Sequence, residues 1–391
     1  MMKLFQTRWP LFALASALML ALANSRDVRA DDPGETKQPA RRDVPTSSLV
    51  TRVDALFSRW DHPDTPGAAV IVIQNGKVLL KKGYGLADLE SRRPITSDSD
   101  FLLASVTKQF TAMAIMILQE RKQLSFDDPL SKFFSEFPAY AQSITVRHLL
   151  NHLAGFPEYD DLFVATGKID KNWPRSSKST RSEFEPTAKD ALRLLEDVKT
   201  LRFEPGTKFE YSNSGYVILA QIVEKVSGQR FSVFLHQNIF QPLAMNRSIL
   251  YDETRPAIPN AALSYKFQNG AYQDINYAPQ NAVYGEDNVY TTLDDMFRWD
   301  QALYGEKLVR AETLKQAFTP GRLNNGKSIP YGFGWFVESH RARHSGSWLG
   351  YRTAIARYPD KQFSVIVLSN VADCGVGSIV DKISEIYLEK D

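Results

Sequence analysis

The chain has 391 residues, of which 43% are hydrophobic and 24% are charged, and its formal net charge at pH 7 is +2. That length is enough to bury a large core, either in one compound domain or in two subdomains. The near balance of 47 basic and 45 acidic residues gives no general reason to expect a nucleic-acid partner, and the single cysteine, Cys374, excludes a disulfide within the chain.

The first 30 residues are typical of a secretory signal peptide. Two basic residues precede an apolar run from Leu11 to Ala23, and small residues allow cleavage after residue 23 or after residue 30. The apolar run is shorter than the roughly 20 residues needed to span a bilayer, so we expect no membrane span after signal removal. The mature protein is therefore predicted to be secreted or periplasmic, with a flexible polar leader at 31–43 and one domain at 44–391.

Strands are predicted near both ends of that domain. The first two are rich in β-branched residues and flank Asn75-Gly76, a strong signal for a two-residue hairpin turn. The predicted strands are Ala68–Gln74, Lys77–Tyr84, Tyr331–Glu338, Tyr351–Tyr358 and Phe363–Leu368.

Helices are predicted mainly between these strands, from apolar residues at helical spacing and from capping residues. The predicted helices are Ser47–Trp60, Ser105–Glu120, Val146–His152, Thr187–Val198, Ser212–Val226, Leu293–Leu303 and Val376–Leu388. Strands at both ends with helices between them predict an α+β fold. One sheet would be built from 44–104 and 330–391, and 105–329 would form a mainly helical part.

The segment Ser105-Val106-Thr107-Lys108 opens the second predicted helix. A helix places residues i and i+3 on one face, so the Ser105 hydroxyl and the Lys108 amine should lie side by side. Ser105 falls in the first turn, where unpaired backbone N–H groups and the helix dipole favour developing negative charge. The pattern indicates a nucleophilic serine, although an ordinary N-terminal serine beside a solvated lysine would have the same sequence.

Two further motifs lie far along the chain. Tyr211-Ser212-Asn213 precedes a predicted helix, where side chains can project into a cleft, and His344-Ser345-Gly346-Ser347 follows a predicted strand. The glycine in the second motif permits close backbone approach. S-x-x-K, Y-x-N and H-x-G in this order resemble the serine β-lactamase and penicillin-binding protein superfamily. The resemblance is to its class C-like branch, which includes carboxypeptidases, esterases and D-amino-acid peptidases.

The resemblance extends from the Ala68 strand to Asn370. The stretch 149–155, L-L-N-H-L-A-G, is similar to a family loop usually written L-L-T-H-T-S-G. The stretch 346–352 is also similar to family sequence. The resemblance implies a β-lactamase/transpeptidase-like fold with the active site between the sheet and the helical part. It implies hydrolysis of an amide, ester or lactam carbonyl through an acyl-enzyme, with no cofactor and no metal.

The resemblance also implies roles for individual residues. The catalytic residues would be Ser105, Lys108, Tyr211 and His344; the oxyanion hole would be the backbone N–H groups of Ser105 and Ser347; and the substrate-binding residues would be Asn213, Ser345, Gly346 and Arg352. Ser105 would attack the carbonyl, and Asn213 would hold the carbonyl of the substrate's acyl side chain. Either Lys108 acts as the base in its neutral form, or it stays cationic and stabilises Tyr211 as a phenolate base. The sequence leaves both open.

His344 departs from the pattern of the family's β-lactamases, which carry lysine at this position. Imidazole is only partly charged near pH 7, so His344 would be a weaker anchor for a substrate carboxylate than lysine. Arg352, on the next predicted strand, could supply the missing cation, although an exposed arginine in a surface ion pair is the alternative. Efficient β-lactamase activity is therefore not expected.

Three other features have both a functional and a structural interpretation. His148 and His152 have a spacing that can bind zinc, but no third ligand lies at useful spacing, so packing is favoured. Glu286 or Asp287 could position a deacylating water, with a turn as the alternative. The basic stretch 168–183 is interpreted as a solvated loop, with a role in attracting anionic wall polymers as the alternative.

We predict an exported serine hydrolase for a small-molecule or peptide substrate, including one derived from the cell wall. A D-Ala-type carboxypeptidase, a D-aminopeptidase or an esterase is favoured. An α/β-hydrolase is disfavoured because the chain has no G-x-S-x-G elbow. The remaining alternative is a non-catalytic penicillin-binding or sensor module on the same fold. The oligomeric state is left open.

Overall fold

The computed structural model describes residues 46–169 and 172–388. The predicted signal peptide and leader lie outside these residues. Among the described residues, none of the helices combines the length and the apolar character needed to cross a bilayer.

Thirteen strands are present in the described part of the chain. They are β1 Ala68–Gln74, β2 Lys77–Tyr84, β3 Leu86–Asp88, β4 Arg93–Pro94, β5 Phe101–Leu102, β6 Ile249–Leu250, β7 Tyr265–Gln268, β8 Ala271–Asp274, β9 Val289–Thr291, β10 Phe336–Val337, β11 Ala342–Trp348, β12 Tyr351–Tyr358 and β13 Phe363–Ser369. The main sheet has six strands in the order β10-β11-β12-β13-β1-β2, and all of its pairs are antiparallel.

The helices lie mostly between β5 and β10. The α-helices are α1 Thr46–Phe57, α2 Lys108–Glu120, α3 Val146–Leu150, α4 Tyr159–Ala165, α5 Ala188–Glu196, α6 Asn213–Ser227, α7 Phe231–Leu235, α8 Leu293–Ala302, α9 Ala311–Ala317 and α10 Val376–Leu388. A π-helical turn covers His236–Phe240. Single 3-10 turns cover Ser58–Trp60, Ala104–Thr107, Leu130–Lys132, Ala139–Gln142, Pro279–Asn281 and Pro359–Lys361.

The closing pair of the main sheet joins the two ends of the domain. Strand β1 pairs with β13 along its whole length, from Ala68 opposite Ser369 to Gln74 opposite Phe363. The β1–β2 hairpin turns at Asn75 and Gly76, and both have positive φ, as an Asn-Gly turn requires. The predicted α+β class and the sheet built from both ends of the chain are therefore confirmed.

The main sheet separates two apolar cores. Successive side chains of a strand point to opposite faces. On one face, Val70 and Val72 of β1 pack in a cluster with Val53 of α1 and Ile383 of α10. On the other face, Ile71 belongs to the larger cluster that includes Phe110 of α2. This larger core joins the helical part to the sheet and positions α2 beside it.

Several predicted boundaries differ from the observed ones. The predicted strand at 331–338 is reduced to β10, because the chain turns back at Gly334, whose φ is +78°, so that the Gly332 N–H donates to the Trp335 carbonyl. The helix predicted from Ser105 begins with a 3-10 turn, and α2 starts at Lys108. The motif at 344–347 lies inside β11 rather than after a strand.

Candidate active site

Ser105 lies in the 3-10 turn that leads directly into α2. Ala104, just before it, has a φ of +48°, in the left-handed region that residues other than glycine rarely adopt. The other three residues of the turn are buried, whereas Ser105 is half-buried. Of the four residues in this bend between β5 and α2, only Ser105 is therefore turned toward the surface.

Lys108 is completely buried at the start of α2. Its Nζ lies 3.1 Å from Ser105 Oγ, 2.8 Å from Asn213 Oδ1 and 3.0 Å from the Glu286 carbonyl oxygen. Three acceptors match the three N–H donors of an ammonium. A neutral amine would keep the bonds to Asn213 and Glu286 and would direct its lone pair at the Ser105 hydroxyl. The same geometry thus suits both protonation states of Lys108.

Strand β11 passes directly beside the Ser105 turn. A side chain at Gly346 would meet the Leu103 carbonyl oxygen at 2.2 Å and the Ser105 nitrogen at 3.0 Å, so only glycine fits there. Thr353 of β12 donates to the same Leu103 carbonyl at 2.6 Å. The backbone of β11 is thereby held against the turn that carries the nucleophile candidate.

Ser345 and Ser347 flank Gly346 in β11, and their side chains are exposed while those of His344 and Gly346 are buried. Because side chains alternate along a strand, the Ser345 hydroxyl lies on the face away from His344. The predicted contact of Ser345 with substrate stays a prediction. Strand β10 pairs with β11 only at Ala342 and Arg343, so this partner does not extend to the backbone of Ser347.

Tyr211 lies just before Ser212, the N-cap of α6. Lys108 Nζ lies 4.9 Å from the centroid of its ring. The Tyr211 hydroxyl is buried, and it has no hydrogen-bond partner among the described residues. A buried hydroxyl without a partner is uncommon in native structures and suggests a functional group or a place for a ligand or water. Lys108 thus contacts both Ser105 and the Tyr211 ring, and the region around these three residues is here called the pocket.

His152 holds Tyr211 through both of its chain neighbours. The Glu210 N–H donates to the His152 carbonyl at 3.1 Å, and the Ser212 N–H donates to His152 Nδ1 at 3.0 Å. The imidazole also packs on the Tyr211 ring, with centroids 4.3 Å apart. Burial, with Lys108 nearby, holds the pKa of His152 well below its usual range, so the ring is neutral. The sequence analysis did not identify this role.

The two histidines with zinc-like spacing have separate roles. Helix α3 ends at Leu150, and His152 follows it with a φ of +60°. His148 forms the capping box of α3, in which its Nδ1 accepts from the Thr145 N–H at 3.3 Å. The described residues contain no group of three or more His, Cys, Asp or Glu arranged to hold a metal ion.

His344 has both ring nitrogens engaged. Nδ1 lies 2.8 Å from the Ser345 carbonyl, and Nε2 lies 2.9 Å from the Tyr331 hydroxyl. A carbonyl only accepts, so these partners assign the proton to Nδ1 and make Nε2 the acceptor. Burial, followed by the nearby Lys108, lowers the pKa of His344 to about 3. The expected partial charge at pH 7 is therefore wrong, although the ring does lie in the pocket, 6.1 Å from that of Tyr211.

Arg352 lies on the face of the main sheet away from Ser105. Its neighbour Thr353 faces the Ser105 turn, so alternation directs Arg352 to the opposite face. Asp373 is a charged neighbour there, and the guanidinium donates to two backbone carbonyls near the β11–β12 turn. The prediction that Arg352 binds a substrate carboxylate is wrong, because strand parity placed it on the other face.

Asn213 is the first residue of α6. Its Oδ1 accepts from Lys108, and its backbone N–H donates to the Glu158 carboxylate at 3.0 Å. These two bonds fix the side chain beside the amine. The predicted contact of Asn213 with the acyl side chain of a substrate stays a prediction.

Three carboxyl groups, those of Glu158, Glu286 and Asp287, interact electrostatically with Lys108, and a fourth, that of Asp160, interacts with Glu286. Glu158 and Asp160 come from the start of α4, and Glu286 and Asp287 come from the loop before β9. The Tyr159 hydroxyl donates to Glu286. The sequence analysis considered only Glu286 and Asp287. The acidic residues on either side of Tyr159, close after the stretch 149–155, were the available signal for the other two.

Two residues of the basic stretch pair with acidic side chains. Lys178 donates to Glu90, and Arg181 donates to Glu185, while Lys171 lies outside the described residues. This pairing agrees with the interpretation of a solvated loop.

Comparison with known proteins relates this site to a family. The sequence model of the family named Beta-lactamase matches residues 53–378. The chain is 33% identical over 334 residues to penicillin-binding protein 4* of Bacillus subtilis, covering 81% of this chain and 71% of the relative. It is 30% identical over 335 residues to a D-aminopeptidase of Brucella ovis, covering 84% of this chain but only 60% of that relative.

A solved structure is also similar. The octameric penicillin-binding protein homologue from Pyrococcus abyssi superposes with a TM-score of 0.74 at 27% identity, over 89% of this chain and 78% of that one. The family match covers most of the described residues, including the pocket around Ser105. The chain therefore belongs to the β-lactamase family, whose fold it has, and is a serine hydrolase that acts through an acyl-enzyme.

Proposed function

We propose that Ser105 is the nucleophile of an exported hydrolase that cleaves small amides or esters, of the D-aminopeptidase or esterase type rather than an efficient β-lactamase. The contacts of Lys108 carry this proposal. A completely buried amine lies within hydrogen-bonding distance of the Ser105 hydroxyl and is held by Asn213 and Glu286. Burying an amine is unfavourable unless its bonds are satisfied, and one of the three bonds that satisfy this amine is to the Ser105 hydroxyl.

In the proposed first step, Ser105 Oγ attacks the substrate carbonyl while its proton passes to Lys108 or Tyr211. The proton then moves to the leaving nitrogen or oxygen, the bond to that atom breaks, and an ester to Ser105 remains. Water hydrolyses this ester in the second step and restores the serine. The backbone N–H groups of Ser105 and Ser347 are the proposed oxyanion hole, where loss of one donor typically costs about 10²- to 10³-fold in rate.

The specificity part of the proposal rests on the charges around Ser105. β-Lactams and peptide C-termini carry a carboxylate, and two residues had been predicted to bind it. His344 is neutral because of its burial, and Arg352 faces the other side of the sheet. Neither is therefore available as an anchor. The lack of a cationic anchor favours substrates whose leaving group carries no carboxylate. It disfavours both carboxypeptidase activity and β-lactamase activity.

One relative supports the amide class at the level of kinship. One relative is named a D-aminopeptidase and another a penicillin-binding protein, and a shared fold does not determine the substrate. Export is part of the proposal because of the signal-like first 30 residues. Sequencing the N-terminus of protein recovered from the cell envelope or medium tests it, and an intact Met1 would contradict it.

Intact-mass measurement tests the hydrolase proposal. The protein is exposed separately to a penicillin, an activated short-chain ester, D-alaninamide and a D-Ala-D-Ala peptide, with Ser105→Ala as the control. We expect turnover of the ester and the amide, both lost in Ser105→Ala. A penicillin adduct that persists without turnover of any substrate would instead support a penicillin-binding or sensor module. Turnover that survives in Ser105→Ala would overturn the assignment of the nucleophile.

A further inference from the structure

Trp348 follows Ser347 in β11 and lies on the strand face that meets the nucleophile turn. Because side chains alternate along a strand, Trp348 shares its face with His344 and Gly346. A Cβ at Gly346 would lie 3.0 Å from the Ser105 nitrogen. Two residues of strand span about 7 Å, so the Trp348 Cα lies within roughly 11 Å of that nitrogen. The long indole side chain covers part of this distance.

A hydrogen bond joins the Trp348 ring to a second segment of the site. Its Nε1–H donates to Asn281 Oδ1 at 3.1 Å. The Asn281 carbonyl accepts from the side-chain amide of Asn288 at 2.8 Å. Asn288 lies two residues after Glu286, whose own carbonyl accepts from Lys108 at 3.0 Å. The indole is therefore fixed between β11, which contacts the nucleophile turn, and the loop that contacts the catalytic amine.

A second indole, that of Trp173, packs on the first. The ring centroids of Trp173 and Trp348 are 5.3 Å apart. Trp173 Nε1 is buried and has no hydrogen-bond partner among the described residues, so packing holds this ring. Two residues later the backbones of Arg175 and Tyr277 exchange two hydrogen bonds, at 2.8 and 2.9 Å, which fasten the segment. Both indoles are half-buried, so this tryptophan pair, Trp173 and Trp348, presents a preformed aromatic surface.

The position of Tyr211 indicates which half of a substrate meets this surface. A leaving atom that receives its proton from Tyr211 lies at the His344 end of the motif, because the rings of these two residues are 6.1 Å apart. Trp348 lies at the other end of the motif, beyond Gly346. The acyl half extends from the scissile carbonyl away from the leaving group, and therefore toward Trp348.

We propose that Trp348, supported by Trp173, binds an aromatic group on the acyl half of the substrate. The inference rests on the proposed function, because it names the acyl class that Ser105 receives. Aromatic rings attract one another at centroid distances of roughly 4.5–7 Å, and burial of their apolar surface adds to this attraction. The contact requires no charged group on the substrate, in agreement with the lack of a cationic anchor around Ser105.

The experiment compares two 4-nitrophenyl esters that differ only in the acyl group, the 3-phenylpropanoate and the acetate. The measured quantity is the ratio of kcat/KM for the first ester to that for the second, here called the acyl ratio. It is determined in the wild type and in Trp348→Ala, Trp348→Phe and Trp173→Ala. The matched control is Phe267→Ala, because Phe267 is an exposed aromatic residue of β7.

A second pair of esters tests the assignment to the acyl half. The 4-nitrophenyl and 2,2,2-trifluoroethyl esters of acetic acid share the acyl group and differ in the leaving group, which is aromatic only in the first. Their ratio of kcat/KM is measured in the same five proteins. A tryptophan pair that bound the leaving group would change this ratio and not the acyl ratio.

We expect the acyl ratio to fall at least about fivefold in Trp348→Ala and about threefold in Trp173→Ala. It should fall less in Trp348→Phe, which keeps an aromatic ring, and stay within about twofold in Phe267→Ala. An acyl ratio unchanged in Trp348→Ala, with Ser105-dependent hydrolysis of the acetate retained, would overturn the inference and leave the proposed function intact. A response confined to the leaving-group pair would also overturn it. If no ester is hydrolysed in a Ser105-dependent way, the proposed function itself fails.

Measurements on the wild type cover the case of a variant that does not fold. For each 4-nitrophenyl ester, kcat/KM is divided by the rate constant for hydrolysis by hydroxide, which removes differences in intrinsic reactivity. The normalised value should be at least about fivefold higher for the 3-phenylpropanoate than for the acetate. Equal values, or a higher value for the acetate, would overturn the inference.

Discussion

His152 should control the rate of acylation through Tyr211, although it is not expected to touch the substrate. Replacing it with alanine removes the acceptor of the Ser212 N–H and the ring that packs on Tyr211 at 4.3 Å. An unpaired buried donor costs about 1–3 kcal/mol, and a lost aromatic contact about 0.5–1.5 kcal/mol. In the wild type these two contacts hold the segment around Tyr211 in place. Their loss should let the phenol leave its position beside Lys108.

The expected kinetic effect follows from the role proposed for Tyr211. A positioned acid–base group contributes about 10²- to 10⁴-fold, so Tyr211→Phe should retain substrate binding and lose acylation rate in this range. His152→Ala should lose about 10²-fold, equivalent to roughly 2.7 kcal/mol. The assay is single-turnover acylation by an activated short-chain ester, with KM determined separately.

Two variants distinguish positioning from a general loss of structure. His152→Asn supplies an oxygen acceptor for the Ser212 N–H, and asparagine tolerates the φ of +60° at this position, so it should recover at least about tenfold over alanine. His148→Ala removes the other histidine, which only caps α3, and should leave acylation within about twofold.

A double-variant cycle provides the decisive comparison. If His152 acts through Tyr211, then His152→Ala should have little further effect in a Tyr211→Phe background. An equal loss of acylation rate in both backgrounds would refute the reasoning, because His152 would then act independently of the phenol.

Three further outcomes are expected. Ser105→Ala should abolish hydrolysis and shift the melting temperature by no more than about 2 °C, because it deletes one half-buried hydroxyl; a large thermal shift would indicate a structural serine. Gly346→Ala should destabilise the fold by about 1–3 kcal/mol and lower activity, because its Cβ would lie 2.2 Å from the Leu103 carbonyl oxygen. The control is Gly377→Ala, whose Cβ would have no atom within 4 Å and which should be neutral or stabilising. Chemical unfolding measures both. Burial lowers the pKa of His344 to about 3 in the folded protein, so His344 binds fewer protons folded than unfolded and its contribution to stability is lost as pH falls from about 6.5 to 3. The difference in the free energy of unfolding between pH 7 and pH 4.5 should therefore be smaller in His344→Gln than in the wild type. An unchanged difference would contradict the assignment.

Local sequence was sufficient for the features that depend on neighbouring residues. The β1–β2 hairpin follows from Asn75-Gly76 because only small residues with positive φ make that turn. The contact of Ser105 with Lys108 follows from three-residue spacing in a helical turn, whether 3-10 or α. The motif order also led to the β-lactamase family, since each motif marks a segment that the fold brings together.

Tertiary structure decided the features that depend on burial and on strand parity. Strand β11 was not predicted because His344-Ser345-Gly346-Ser347 has little apolar periodicity, and its pairing with β12 makes it a strand. The alternation of side chains in β12 puts Arg352 on the far face of the sheet. A shift of one residue would have put it on the face of the pocket. The neutral state of His344 and the carboxyls around Lys108 depend on desolvation and on charges from distant segments, and no local pattern encodes either of these.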